Sequence, residues 1–120
     1  MYNKQVIEHF TNPNNMGALK DFDSEAEGGN PTCGDVVKLQ IKLSKDKKKI
    51  SDIKFKAFGC GACIASTSAL TEMVKSKEIS KVKKITNSDI ADYLGGLPPQ
   101  KLKCSNFSSD VLQNALKKLI

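Results

Sequence analysis

Hydrophobic and polar positions alternate strictly from Val37 to Leu43: Val37, Leu39, Ile41 and Leu43 point one way, Lys38, Gln40 and Lys42 the other. A period of two marks a half-buried strand. The polar run from Ser44 to Lys49 follows as a turn. Ile53, Phe55 and Ala57 then alternate with Lys54 and Lys56, so a second strand pairs with the first as a hairpin. Ser24–Gly29 supplies a third, edge strand. After Gly59-Cys60-Gly61 the period changes. Ile64, Ala65, Ala69, Met73 and Val74 recur at helical spacing between Ala62 and Lys75, with no glycine or proline inside. Residues 3–10 read as a short helix anchored only by Val6, Ile7 and Phe10, which predicts loose attachment when the protein is alone. Residues 11–22 carry turn formers and are irregular. A short helix around Ser88–Leu94 stops at Gly95-Gly96, and Pro98-Pro99 can open another helical turn. The last helix starts near Ser108 or Ser109, a good N-cap, with Val111, Leu112, Ala115, Leu116 and Leu119 inward. These elements predict an α+β fold: a small antiparallel sheet of about three strands packed against several helices. The length of 120 residues fits a single domain, 1–120.

Charge narrows the function classes. The net charge is +6, and all 19 basic residues are lysine. Guanine edges and phosphates are read best by the guanidinium fork, so a chain without arginine and with 6% aromatic residues is a poor nucleic-acid reader. The lysines fit a solvated surface, or a docking face for acidic proteins. No apolar run approaches the roughly 18 residues needed to span a membrane. The N-terminal stretch lacks a signal-peptide core, which places the chain in the cytoplasm.

Four cysteines remain to be explained: Cys33, Cys60, Cys63 and Cys104. Disulfide frameworks belong to small secreted chains, so in a reducing compartment these thiols are ligands, nucleophiles or core residues. Three segments carry them: Asn30-Pro31-Thr32-Cys33-Gly34-Asp35, Gly59-Cys60-Gly61-Ala62-Cys63 and Lys103-Cys104-Ser105. Each lies where elements end or begin, beside residues that let backbone approach a ligand. Cys60 directly precedes a helix start, where free amides and the dipole favour a thiolate. Free amides also suit a sulfide-rich cluster. Asp35 could reach the same metal as Cys33. Cys63, one turn into the helix, is as well placed to fill the core as to bind a metal. Cys60-x-x-Cys63 is half of a zinc pattern without its second half. His9, the lone histidine, reads as a surface residue.

These segments resemble the IscU/NifU-type iron–sulfur scaffolds over nearly the whole chain. Tyr2-Asn3-Lys4-Gln5-Val6-Ile7-Glu8-His9-Phe10, Asn12-Pro13 and Asn15-Met16-Gly17 are similar to the family's N-terminal segment. The three cysteine loops, the second as Phe58–Ser66 and the third as Leu97–Ser105, follow in family order. Gly95-Gly96 before Leu97 is closer to the NifU-like branch, as a stand-alone module. The resemblance implies a SufE/NifU-like fold and a scaffold or carrier rather than an enzyme. It implies that Cys33, Cys60 and Cys104 are cluster ligands, that Asp35 tunes cluster lability, and that Cys104 accepts persulfide. It further implies a cysteine desulfurase as sulfur donor, apo iron–sulfur proteins as recipients, and a [2Fe–2S] product, with [4Fe–4S] at a dimer interface as a variant. The state is then monomer or homodimer.

The chain departs from the family pattern at three places. Lys103 stands where histidine precedes the third cysteine; with an ordinary pKa of about 10.4 its ammonium has no lone pair for a metal and suits stabilising sulfide or persulfide by charge. Cys63 stands where alanine is common. Gln100 interrupts Leu97-Pro98-Pro99-Gln100-Lys101, which weakens the match to an Hsp70-type chaperone motif. The fourth ligand is therefore open between Asp35, Cys63 and an external group, with Asp35 favoured because it is ionised, short and on a glycine-containing loop. A zinc-dependent sulfurtransferase using the Cys33, Asp35, Cys60 and Cys104 set is the alternative reading, and zinc could occupy the same thiolates in the isolated protein.

Overall fold

The computed structural model describes residues 3–30, 34–96 and 107–119. The alternating segments form the expected antiparallel sheet in the order β1-β2-β3, with β1 at Ser24–Asn30, β2 at Asp35–Leu43 and β3 at Ile50–Phe58. The register places Val37, Leu39 and Ile41 opposite Ala57, Phe55 and Ile53, so one face is continuous and apolar. Leu39, Ile41, Ile50 and Ile53 are fully buried and Phe55 nearly so. The opposite face carries Lys38, Gln40 and Lys42 across from Lys56, Lys54 and Asp52. Strand pairing extends beyond the expected ends: β2 begins at Asp35 and β3 runs from Ile50 to Phe58, with an irregularity at Lys42/Leu43 absorbing one extra residue of β3. The free edge of β3 is covered by the loop at Asn15–Gly17, where Gly17 N donates to Phe55 O (2.8 Å) and Phe55 N to Asn15 O (3.0 Å).

Helices cover the apolar face: α1 (Lys4–Thr11), α2 (Gly61–Val74), α3 (Ile79–Val82), α4 (Asn87–Tyr93) and α5 (Ser108–Lys117). Helix α2 is the central element, packing on β3 and against α1, α4 and α5. It is buried on several sides, which explains why its apolar periodicity is short: Ser66, Thr67, Ser68 and Thr71 are buried polar residues. Thr67 Oγ1 donates to Cys63 O at 2.8 Å and Thr71 Oγ1 to Ser68 O at 2.7 Å, so these hydroxyls are satisfied locally. Helix α4 has a complete capping box, Thr86 with Asp89, and ends at Gly95 and Gly96, both at positive φ, as the double glycine predicts.

Several expectations are corrected. The N-cap of α5 is Phe107, and both candidate capping serines are buried inside the helix start, where Ser109 Oγ donates to Ile85 O at 2.8 Å. Ile7 does not anchor α1; it is 43% exposed, and Val6 alone is buried. Phe10 packs against the core as expected, and polar side chains of Asn3, His9 and Asn14 add further ties to that segment. The helical turn expected at Pro98-Pro99 lies outside the described residues.

Candidate functional site

The open end of the β2–β3 hairpin brings two of the sequence-predicted site residues together. Asp35 is the first residue of β2; Gly59 and Cys60 follow the last residue of β3. The Val36–Phe58 pair sets these ends side by side. Asp35 is 1% exposed, and its Oδ1 accepts the Cys60 backbone N–H at 3.0 Å. Its Oδ2 lies 3.9 Å from Cys60 Sγ. Cys60 is the N-cap of α2, and its side chain makes no capping hydrogen bond to the helix. Carboxylate and thiol thus share one small region at the positive end of a 14-residue helix.

Gly59 makes this approach possible. Its φ is +146°, and a Cβ placed there would stand 2.0 Å from Asp35 Oδ1. Gly34, also at positive φ (+71°), turns the chain into β2 just before Asp35. Val36 and Phe58 on the neighbouring pair are 37% and 74% exposed, which leaves an apolar rim beside Cys60.

Cys63 resolves to core. It is fully buried within α2 among the residues that pack on the sheet. Burial first, then the charges of Asp35 and Cys60, push its thiol up to about 12. A buried thiol held neutral in the metal-free chain is a poor nucleophile. Alkylation of the native protein should therefore leave Cys63 unmodified even at the ordinary thiol value of 9.0, while the partly exposed Cys60 reacts. Peptide mass spectrometry reads this directly; modification of Cys63 in folded protein at the Cys60 rate would refute the assignment.

Cys33, Lys103 and Cys104 lie outside the described residues. Among the described residues no group of three His, Cys, Asp or Glu side chains is placed to hold a metal ion.

Residues 1–119 match the NifU-like N-terminal domain. An iron–sulfur cluster assembly scaffold protein IscU of Aquifex aeolicus is 47% identical over 116 residues, 97% of this chain and 74% of the relative. IscU 1 of Archaeoglobus fulgidus is 48% identical with the same coverage. This chain belongs to the NifU-like N-terminal domain family. The crystal structure of the N-terminal NifU-like protein from Brucella abortus superposes with a TM-score of 0.80 over 98% of this chain and 92% of that one, at 16% identity, a likeness of fold.

Within this NifU-like domain, the structure also reveals a network that sequence reasoning missed. His9 is not a surface residue: its side chain is 13% exposed, and Nδ1 pairs with Ser68 Oγ at 2.8 Å. Ser68 Oγ also accepts the Asn14 N–H at 2.9 Å, and Glu72 receives Asn14 Nδ2 at 2.7 Å together with the Tyr93 hydroxyl. The Glu72 hydrogen bond raises the Tyr93 hydroxyl to about 12. An open cleft of about 450 Å³ beside this network is lined by Glu8, His9, Thr11, Asn12, Asn14 and Glu72, none of them from the Asp35–Cys60 site. The signal for the network was the run of hydroxyl residues in α2, which marks a buried face needing polar partners.

Proposed function

We propose that this chain is a scaffold for iron–sulfur cluster assembly, on which the cluster is cargo, built and then released. The observation that carries the reading is the buried Asp35 carboxylate, which receives the Cys60 amide and lies 3.9 Å from the Cys60 sulfur. Relatives bearing the IscU scaffold name, at 47–48% identity over most of the chain, support it. In this reading Cys33, Cys60 and Cys104 supply three thiolates and Asp35 a fourth, oxygen ligand. A thiolate shell completed by one harder carboxylate suits a [2Fe–2S] cluster that must leave, because the oxygen exchanges more readily than a fourth sulfur. Cys104 receives sulfur as persulfide from a cysteine desulfurase, and the ammonium of Lys103 stabilises the sulfur anion there. Apo iron–sulfur proteins take the product.

The direct test is anaerobic reconstitution with ferrous iron, cysteine, a cysteine desulfurase and a thiol reductant that supplies the electrons for reducing persulfide sulfur to sulfide, followed by spectra and a structure of the loaded form. A brown protein with visible absorbance, and iron bonded to the Asp35 carboxylate, is the expected result. An iron–sulfur bond at Cys63 with the Asp35 carboxylate turned away would remove Asp35 from the ligand set. A colourless protein that holds zinc tightly and turns over as a sulfurtransferase would overturn the scaffold reading.

A further inference from the structure

Helix α1 and its N-cap touch the residue that follows Cys60 and the turn from which the chain continues toward Cys104. Near its C-terminal end the Phe10 ring lies over Gly61, next to Cys60; a Cβ on Gly61 would stand 3.1 Å from the ring. At its N-terminal end Asn3 divides its amide between two tasks. Its Oδ1 accepts the Val6 N–H at 2.9 Å and caps α1. Its Nδ2 donates to Leu94 O at 2.9 Å and to Gly96 O at 3.3 Å, across the double-glycine end of α4. Gln5 closes against the same turn, its Oε1 standing 2.7 Å from where a Gly95 Cβ would be. Beyond Gly96 the sequence continues through residues 97–103 to Cys104.

Capping alone does not need asparagine. Serine or aspartate would accept the same N–H equally well. The donor half of the amide is what distinguishes asparagine here, and it is directed at carbonyls that a helix end leaves without intrahelical partners. The two glycines give that turn its positive-φ path (+81° and +107°) and make it easy to deform, so an outside bond has something to hold.

We propose that Asn3 is a positioning residue for cluster assembly. Through its amide, α1 fixes the point from which the chain departs toward Cys104 relative to the Cys60 loop that Phe10 covers. The proposal rests on the reading of Cys60 and Cys104 as ligands of one cluster. It separates two properties of α1: being a helix, and acting as a spacer between two ligand segments.

Asn3→Asp distinguishes them. The aspartate keeps the cap and is favoured by the helix dipole, but sets a carboxylate oxygen against two carbonyls. Asn3→Ser keeps the cap and deletes the donor without adding charge. Amide exchange is measured on the metal-free full chain, and loss of visible absorbance to an iron chelator on the reconstituted chain. In Asn3→Asp the amides of residues 6–10 should exchange as in the parent, while Gly95 and Gly96 exchange faster and the cluster is lost about tenfold faster, the factor that one or two net hydrogen bonds represent. Asn3→Ser should change both in the same direction by less. Parental cluster loss in both variants, or parental exchange at Gly95 and Gly96, would overturn the positioning role alone. A parent chain that builds no cluster would overturn the functional reading and this proposal with it.

Discussion

Replacing Cys60 by serine should reduce cluster occupancy to background, with the fold intact. Cys60 is half-buried at the start of α2, outside the fully buried core, and its side chain makes no capping hydrogen bond, so a hydroxyl of similar size costs the fold little. What changes is the donor atom. A serine hydroxyl stays protonated at neutral pH and binds iron weakly, whereas a cysteine sulfur binds iron strongly as thiolate. The same replacement at Cys33 and at Cys104 should have the same outcome if all three are ligands. Cys63→Ala, by contrast, should retain the cluster, since that side chain is fully buried in the core. Iron and acid-labile sulfide per chain, with far-ultraviolet dichroism as the folding control, decide the series. Full occupancy in any of the three serine variants removes that residue from the site.

Gly59→Ala should be the most damaging single methyl in the described chain. Its φ of +146° disfavours any side chain, and the new Cβ would fall 2.0 Å from Asp35 Oδ1 and 2.8 Å from its Cγ. The carboxylate must move, and the Cys60 N–H then loses its acceptor. Backbone strain and a lost charge-assisted hydrogen bond together come to about 3 kcal/mol or more. Gly34→Ala is the internal control: its φ is +71°, but nothing lies within 4 Å, so strain alone should cost about 1 kcal/mol. Urea midpoints at an unchanged slope measure both. Equal losses at the two glycines would mean that Asp35 is not held where the structure places it.

Most of the fold could be read from period alone, because β2 and β3 have one wet and one dry face and their alternation survives in the sequence. Helix α2 was legible from the helical spacing of Ile64, Ala65, Ala69, Met73 and Val74 and from its lack of breakers, but the burial of its other sides was not: Ser66, Thr67, Ser68 and Thr71 are buried, and their hydrogen bonds are not registered by a hydrophobicity pattern. The same blindness made His9 look like a surface residue. Its partners, Ser68 and Glu72, lie some sixty residues away, and no local rule pairs them. The serine caps of α5 failed for a related reason, since Ser109 finds Ile85 O across the molecule instead of its own helix. In the candidate site, Cys60 at a helix start was legible from Gly59-Cys60-Gly61. Asp35 was legible as a carboxylate near Cys33. Its contact with Cys60 was not, because it depends on strand register.

That dependence ties the chemistry to the closing of a zipper. Asp35 and Cys60 stand at the two loose ends of a hairpin whose turn is at the far side, around Ser44–Lys49, so their encounter depends on the register of the intervening rungs from Ile41–Ile53 to Val36–Phe58. A slip of one rung would send Val37, Leu39 and Ile41 to the wet face and carry the carboxylate a full residue past the amide it serves. The hairpin is thus a vernier scale: hydrophobic pairing along its length reads out, at its tip, whether an oxygen and a sulfur are in line. A chain that has mispaired its strands cannot bring that oxygen and that sulfur together.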